Sequence, residues 1–150
     1  MSEIDLQRQI NELRSLVRRA YCQEVGGPIW LATPLTSTSW DGDAHSTEAK
    51  TKIDLSAVFG APANIKAVSV RVLARDSASA ASSTPYFGLS PNDTSYSSAV
   101  VLRPGGLPND YYAEGAGIVP CDSNGDIYYQ IDATGAGTLD AHLQIWGYWI

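Results

Sequence analysis

The chain holds few residues suited to chemistry, and their spacing is poor for it. There are two histidines, His45 and His142, and two cysteines, Cys22 and Cys121. A transition-metal site needs three or four N or S donors converging on one point, and none of these four has a second donor at ligand spacing. Two cysteines also fall short of a disulfide framework; they read as two reduced thiols, with a single bridge between them left open. Asp122, Asn124 and Asp126 imitate the start of a calcium loop. That loop requires Gly at its sixth position and Glu at its twelfth, where this chain has Ile127 and Ala133. The same residues are explained by a turn at Asn124-Gly125, and Asp41-Gly42-Asp43 is a turn on the same grounds. Ser90 follows Gly88-Leu89, but the second glycine of a nucleophile elbow is missing, and no phosphate-binding loop is present. Two acids meeting in space to hydrolyse a glycan is a third-rank reading. The expectation is a non-enzymatic protein with no metal and no cofactor.

One chemistry does have candidates. A sugar ring stacks on an exposed aromatic face while nearby carboxylates and amides bind its hydroxyls. Three polar segments carry such residues: Trp40, Asp41 and Asp43; Asn92 and Tyr96; Asn109, Tyr111 and Tyr112. The competing reading makes these tyrosines packing residues beside turns.

The elements that would position them fall into two regions. Residues 1–25 read as a helical stem. Ser2 is an N-cap candidate and Asp5 lies near the positive end of the helix dipole. Leu6, Ile10, Leu13, Val17 and Ala20 recur at alternating steps of four and three, the heptad pattern of a coiled coil. Gly26, Gly27 and Pro28 then stop the helix. About twenty residues span roughly 30 Å, and a lone helix of that length is marginal in water. Its stripe therefore needs a cover: copies of itself, its own domain, or a partner protein. Ile10 and Val17 at the a positions with leucine at d favour two strands, but Leu16 at g widens the stripe towards three. The expectation is a homotrimer.

From residue 26 to 150 the period changes from 3.6 to 2. Strands are expected at 29–34, 51–55, 66–74, 86–89, 98–103, 111–119, 127–133 and 139–150, with a polar turn region at 37–46 around Trp40 and a loop or helical turn at 56–64. In the best strand Val68, Val70, Val72 and Ala74 share one face. Asn124-Gly125 is read as a hairpin turn into residues 127–133. About eight short strands argue for a mainly β fold, an antiparallel β-sandwich or jelly roll, carried by the N-terminal α-helix.

The last strand carries large residues on both faces. Leu139, Ala141, Leu143, Ile145, Gly147 and Trp149 are assigned to one face, and Trp146, Tyr148 and Ile150 to the other. A strand of this kind is covered on both sides. We expect a neighbouring subunit over Trp146, Tyr148 and Ile150, or else the loop at 104–110 folded over them.

The formal net charge is -6. Arg8, Arg14, Arg18 and Arg19 against Glu3, Asp5 and Glu12 leave the first twenty residues at +1, so the remainder carries -7. An acidic globular part repels phosphate backbones and anionic lipid surfaces, so neither nucleic acid nor membrane is an expected partner. No signal peptide is visible, and no apolar run approaches the roughly 20 residues of a membrane span.

Residues 35–47 (LTSTSWDGDAHST), 50–77 (KTKIDLSAVFGAPANIKAVSVRVLARDS) and 119–150 (VPCDSNGDIYYQIDATGAGTLDAHLQIWGYWI) resemble the distal β-sandwich of small tailed-phage virion appendage proteins, of fibre, knob or decoration type. The resemblance implies a trimeric virion surface component, made and assembled in the host cytoplasm. Its residues 1–25 would dock on another virion protein and its knob would face outward, towards a host-surface glycan. The short stem fits a short tail or baseplate fibre, a capsid decoration protein or a head fibre. A free-standing lectin-like carbohydrate-binding module is the alternative.

Overall fold

The computed structural model describes residues 3–24, 27–78, 83–108 and 111–150. The expectations placed on Ser2, Gly26 and Asn109, and on the side chains of Ala20 and Cys22, lie outside the described residues.

Among the described residues, one long helix, α1 (Glu3–Glu24), precedes nine strands: β1 (Pro28–Leu35), β2 (Asp41–His45), β3 (Glu48–Ile53), β4 (Ala67–Asp76), β5 (Tyr86–Ser90), β6 (Val100–Leu102), β7 (Ala113–Pro120), β8 (Ile127–Asp132) and β9 (Leu139–Trp149). A short helix, α2 (Leu55–Phe59), links β3 to β4. Asp54 caps α2 by accepting from the Ala57 N–H at 2.9 Å, and Gly60 ends it in the left-handed region.

The strands form two antiparallel sheets. The first runs β1-β9-β4-β7, with β2 also pairing β9; the second runs β3-β8-β5-β6. Val68, Val70, Val72 and Ala74 of β4 alternate into the interior as the pattern demands. There they meet Leu139, Ala141, Leu143 and Ile145 of β9 from the same sheet, and Phe87, Leu89, Ile127 and Ile131 from the other. Leu55 and Phe59 of α2 close the same core.

Three expectations need correction. First, residues 41–45 are a strand and not a turn. Gly42, at φ 113, sits at a register shift between the pairs Asp41–His142 and Asp43–Ala141. A bulge breaks the period-2 signal, and it requires glycine because a Cβ there would lie 2.9 Å from the His142 ring. Second, Asn124-Gly125 does turn the chain, with the Gly125 N–H donating to the Asp122 carbonyl at 3.1 Å. It makes no hairpin, because β7 and β8 lie in opposite sheets. The turn is tucked against Asn64 and Ile65, whose backbone nitrogens would be 2.9 Å from a Cβ on Gly125.

Third, the alternation assigned to the last strand breaks near its end. Ser69 pairs with Gly147 and Val70 with Ile145, so Trp146 is the extra residue of a β-bulge. Beyond it the faces exchange. Tyr148 pairs with core-facing Val68 and packs against the core, while Trp149 turns to the outer face. Tyr148 is therefore a core-lining residue and not part of an exposed patch with Trp146 and Ile150.

Candidate functional site

The helix α1 presents an exposed apolar stripe. Leu6, Leu13, Leu16 and Val17 are each at least half exposed and Ile10 partly so. The buried core among the described residues draws nothing from α1. The reading in which the helix folds back on its own domain finds no support in that packing.

A second apolar area lies at the end of the first sheet where β1 begins. Pro28 pairs with Trp149, and Ala67 pairs with both Trp149 and Pro120, so these four residues mark one end of the first sheet. Directly opposed residues share a face. The outer face at this end therefore carries Trp30, Gly147, Trp149, Ser69 and Ile118. Trp30 and Trp149 meet edge to face with centroids 5.8 Å apart. Trp30 is 63% exposed and Ile118 53%. The Trp146 indole donates to Gln144 Oε1 at 3.3 Å, and Ile150 is exposed. The sequence pointed to Trp146 and Ile150; Trp30 and Trp149 were missed. Trp30 had no local signal, and Trp149 was hidden by the bulge.

The sugar-binding candidates do not form one site. Trp40 leaves the set, being 5% exposed. It stacks on His45 (4.6 Å) and Phe87 (6.0 Å) and meets Tyr129 edge-on, so its faces are spent inside the protein. Asp41 and Tyr112 lie near one another on the first sheet, while Tyr111 is exposed, its N–H donating to the Pro108 carbonyl at 3.1 Å. Asp41 pairs with His142, whose ring lies 5.3 Å from Tyr112, and Arg75 covers Tyr112 at 5.0 Å while donating to Asp140. Asp43 is exposed on β2. Asn92 and Tyr96 belong to the loop between β5 and β6, over the second sheet.

That loop is pinned by a polar network. Lys50 donates to the Ser90 hydroxyl, to the Ser97 carbonyl at 3.1 Å and to Ser98 Oγ at 3.0 Å. Desolvation holds its pKa below the usual lysine value. Ser90 is fully buried and donates to the Asn92 carbonyl at 2.7 Å, so its hydroxyl has no path to a substrate. The Tyr86 hydroxyl donates to Ser98 at 2.8 Å, beneath the Tyr96 ring. Tyr96 adopts φ 56, an uncommon conformation for a non-glycine residue. Its N–H donates to Gln130 Oε1 at 2.8 Å and its hydroxyl to Asp132 Oδ2 at 3.2 Å, which holds it there. The neighbouring Asp132 carboxylate pushes the Tyr96 phenol pKa up.

Beside Asp132 opens a cleft of about 360 Å³, walled by residues 83–85 on one side and 132–135 on the other. Its second wall is fixed from below. Asp76, 4% exposed, accepts from the Thr134 N–H at 3.0 Å and from its hydroxyl at 2.7 Å, and the Ala133 N–H donates to Thr47 Oγ1 at 3.0 Å. Asp76 pairs with Leu139, at the end of the first sheet opposite Pro28. Sequence reasoning missed Asp132, Thr134 and Ser83, because the cleft joins segments far apart in the chain.

The Asp122–Asp126 segment is a self-contained turn. Asp122 Oδ1 accepts from the N–H groups of Asn124 (2.8 Å) and Asp126 (3.0 Å), and Asp126 accepts from Lys52 and from the Leu55 N–H. Cys121 lies beside it, half-buried. Burial first, then the Asp122 and Asp126 charges, push its thiol up to about 12. A raised folded-state pKa means the contribution to stability is complete below about pH 9, the ordinary thiol range, and is lost as pH rises towards 12. In a Cys22→Ser variant at pH 8, iodoacetamide is expected to alkylate folded Cys121 at least tenfold more slowly than the same thiol in urea. Equal rates would show an accessible, ordinary thiol.

No protein-family model matches the chain, and no curated protein matches it.

Proposed function

We propose that this chain is a non-enzymatic structural protein of a tailed-phage virion, a homotrimeric surface appendage that docks through a coiled-coil stem and exposes a jelly-roll knob for host attachment or particle stabilisation. The carrying observation is the stripe of Leu6, Ile10, Leu13, Leu16 and Val17, exposed or partly so, on a helix that contributes nothing to the buried core among the described residues. Such a stripe is stable in water only when covered. The tryptophan pair Trp30 and Trp149 adds exposed apolar surface at the end of the first sheet where β1 begins. Copies joined along α1 would bring these areas together. We read the winding of β2-β9-β4-β7 over β3-β8-β5-β6 as the jelly roll itself.

Sedimentation equilibrium of the full chain tests the stem. The expected mass is three times 16.1 kDa. A single-chain mass at micromolar concentration would sink the reading. Deletion of residues 1–25 is expected to abolish incorporation into particles while leaving a folded knob.

The cleft beside Asp132 and the exposed Tyr96 ring favour a second reading, a free-standing lectin-like module. Sugar binding by a soluble knob that never enters particles would select it.

A further inference from the structure

We propose that the cleft between residues 83–85 and 132–135 binds an uncharged, hydroxyl-rich sugar unit of a glycan, with Tyr96 as its stacking face and Asp132 as its anchoring acceptor. The proposal deepens the attachment role given above and does not depend on the trimeric stem.

Four features converge there. The cleft, at about 360 Å³, falls within the roughly 300–1,000 Å³ of small-ligand sites. Its walls carry the hydroxyls of Ser83, Thr84 and Thr134 together with one carboxylate, Asp132. Hydroxyls that both donate and accept, next to an acceptor-only carboxylate, match the alternating needs of a polyol.

The site is also set in advance. Buried Asp76 takes both the N–H and the hydroxyl proton of Thr134, so the Thr134 oxygen is turned to accept from a ligand. Little ordering is left for binding to impose. Tyr96 is the third feature. It is 60% exposed yet held by Gln130, Asp132 and the Tyr86 ring in a left-handed backbone conformation. Strain of that kind persists only where surrounding contacts enforce it and gathers at binding sites. Here it presents an aromatic face next to the carboxylate its hydroxyl touches.

Charge is the fourth feature and sets the ligand class. Asp132 is the ionisable side chain among the lining residues, and the chain is acidic overall. Arg103, the nearby cation, lies over the Tyr86 ring at 5.1 Å. An acidic sugar would meet the like charge of Asp132, which penalises it, whereas a neutral one would not.

The test uses the full chain on an array of mannose-, galactose- and N-acetylglucosamine-terminated glycans beside sialylated and uronate-containing ones, followed by titration of the best binder. Neutral glycans are expected to bind, and Tyr96→Ala and Asp132→Asn each to weaken binding at least tenfold with the sedimentation mass unchanged. Should Tyr96→Ala fail to fold, Tyr96→Phe replaces it: loss of the hydroxyl contact to Asp132 is expected to weaken binding while the ring is kept. Preference for acidic glycans, binding that survives the substitutions, or no binding to any neutral glycan at millimolar concentration would overturn the proposal. A single-chain species that still binds neutral sugar through Tyr96 and Asp132 would uphold this site and remove the stem reading, so the two failures are separable.

Discussion

Leu13→Glu combined with Val17→Glu is expected to convert the protein into a single-chain species with a folded sandwich. Both side chains are largely exposed in one chain, at 62% and 58%, so replacing them removes little from the isolated fold. In an assembled stem each is covered by its neighbours. Burying a side chain of this size is worth about 1.5–3 kcal/mol, and a buried unpaired carboxylate costs several more. Losing two such contacts per chain lowers the association constant by at least about a thousandfold, at 1.4 kcal/mol per tenfold.

Three measurements should move together. Sedimentation mass falls to that of one chain. Helical circular dichroism drops, because a lone helix of this length does not hold. The melting temperature of the sandwich stops depending on protein concentration. A double variant that keeps the parental mass would show that the stripe is not the association surface.

The second large effect is expected at Trp40. Trp40→Ala should destabilise the sandwich by about 3–5 kcal/mol, the range for removing a large aromatic from a core. The indole is 5% exposed and contacts Phe87, His45 and Tyr129, which come from three different strands. The hole left behind therefore weakens the packing between the sheets. In a domain of this size the melting temperature falls by about 2–4 °C for each kcal/mol, so a loss of roughly 6–20 °C is expected. Trp30→Ala is the contrast. Trp30 is 63% exposed, and its removal should change chemical denaturation by less than about 1 kcal/mol. Similar stability losses in the two variants would contradict the placement of Trp40 in the core and Trp30 on the surface.

These two tryptophans show where pattern reading works and where it stops. Trp40 sits among Ser, Asp and Gly, company that signals an exposed turn. The segment is instead a 3-10 turn, Thr38–Trp40, leading into the bulged strand β2 beside β9, and it delivers one large ring to the interior. Edge strands with bulges carry almost no alternation, so the residue types around Trp40 describe its neighbours and not itself. The sugar-site candidates suffered similarly. Tyr96 stayed accessible, whereas its nearest acid in space, Asp132, comes from the end of a strand on the far side of the sequence.

What the sequence determined by itself was whatever short-range geometry controls. The helix α1 followed from its apolar spacing and the absence of Gly and Pro through its length, and β4 from the strict alternation of Val68, Val70, Val72 and Ala74. The antiparallel, mainly β character came from strand lengths and turn residues. Only the tertiary structure decided which strands share a sheet, so that Asn124-Gly125 crosses between sheets instead of closing a hairpin. It also decided that Tyr148 faces inward and Trp149 outward. A side chain's face depends on the register of its partner strand, and one extra residue at Trp146 reverses every face after it. Backbone preference acts over a few residues, while register and sheet membership are set by contacts between segments many residues apart.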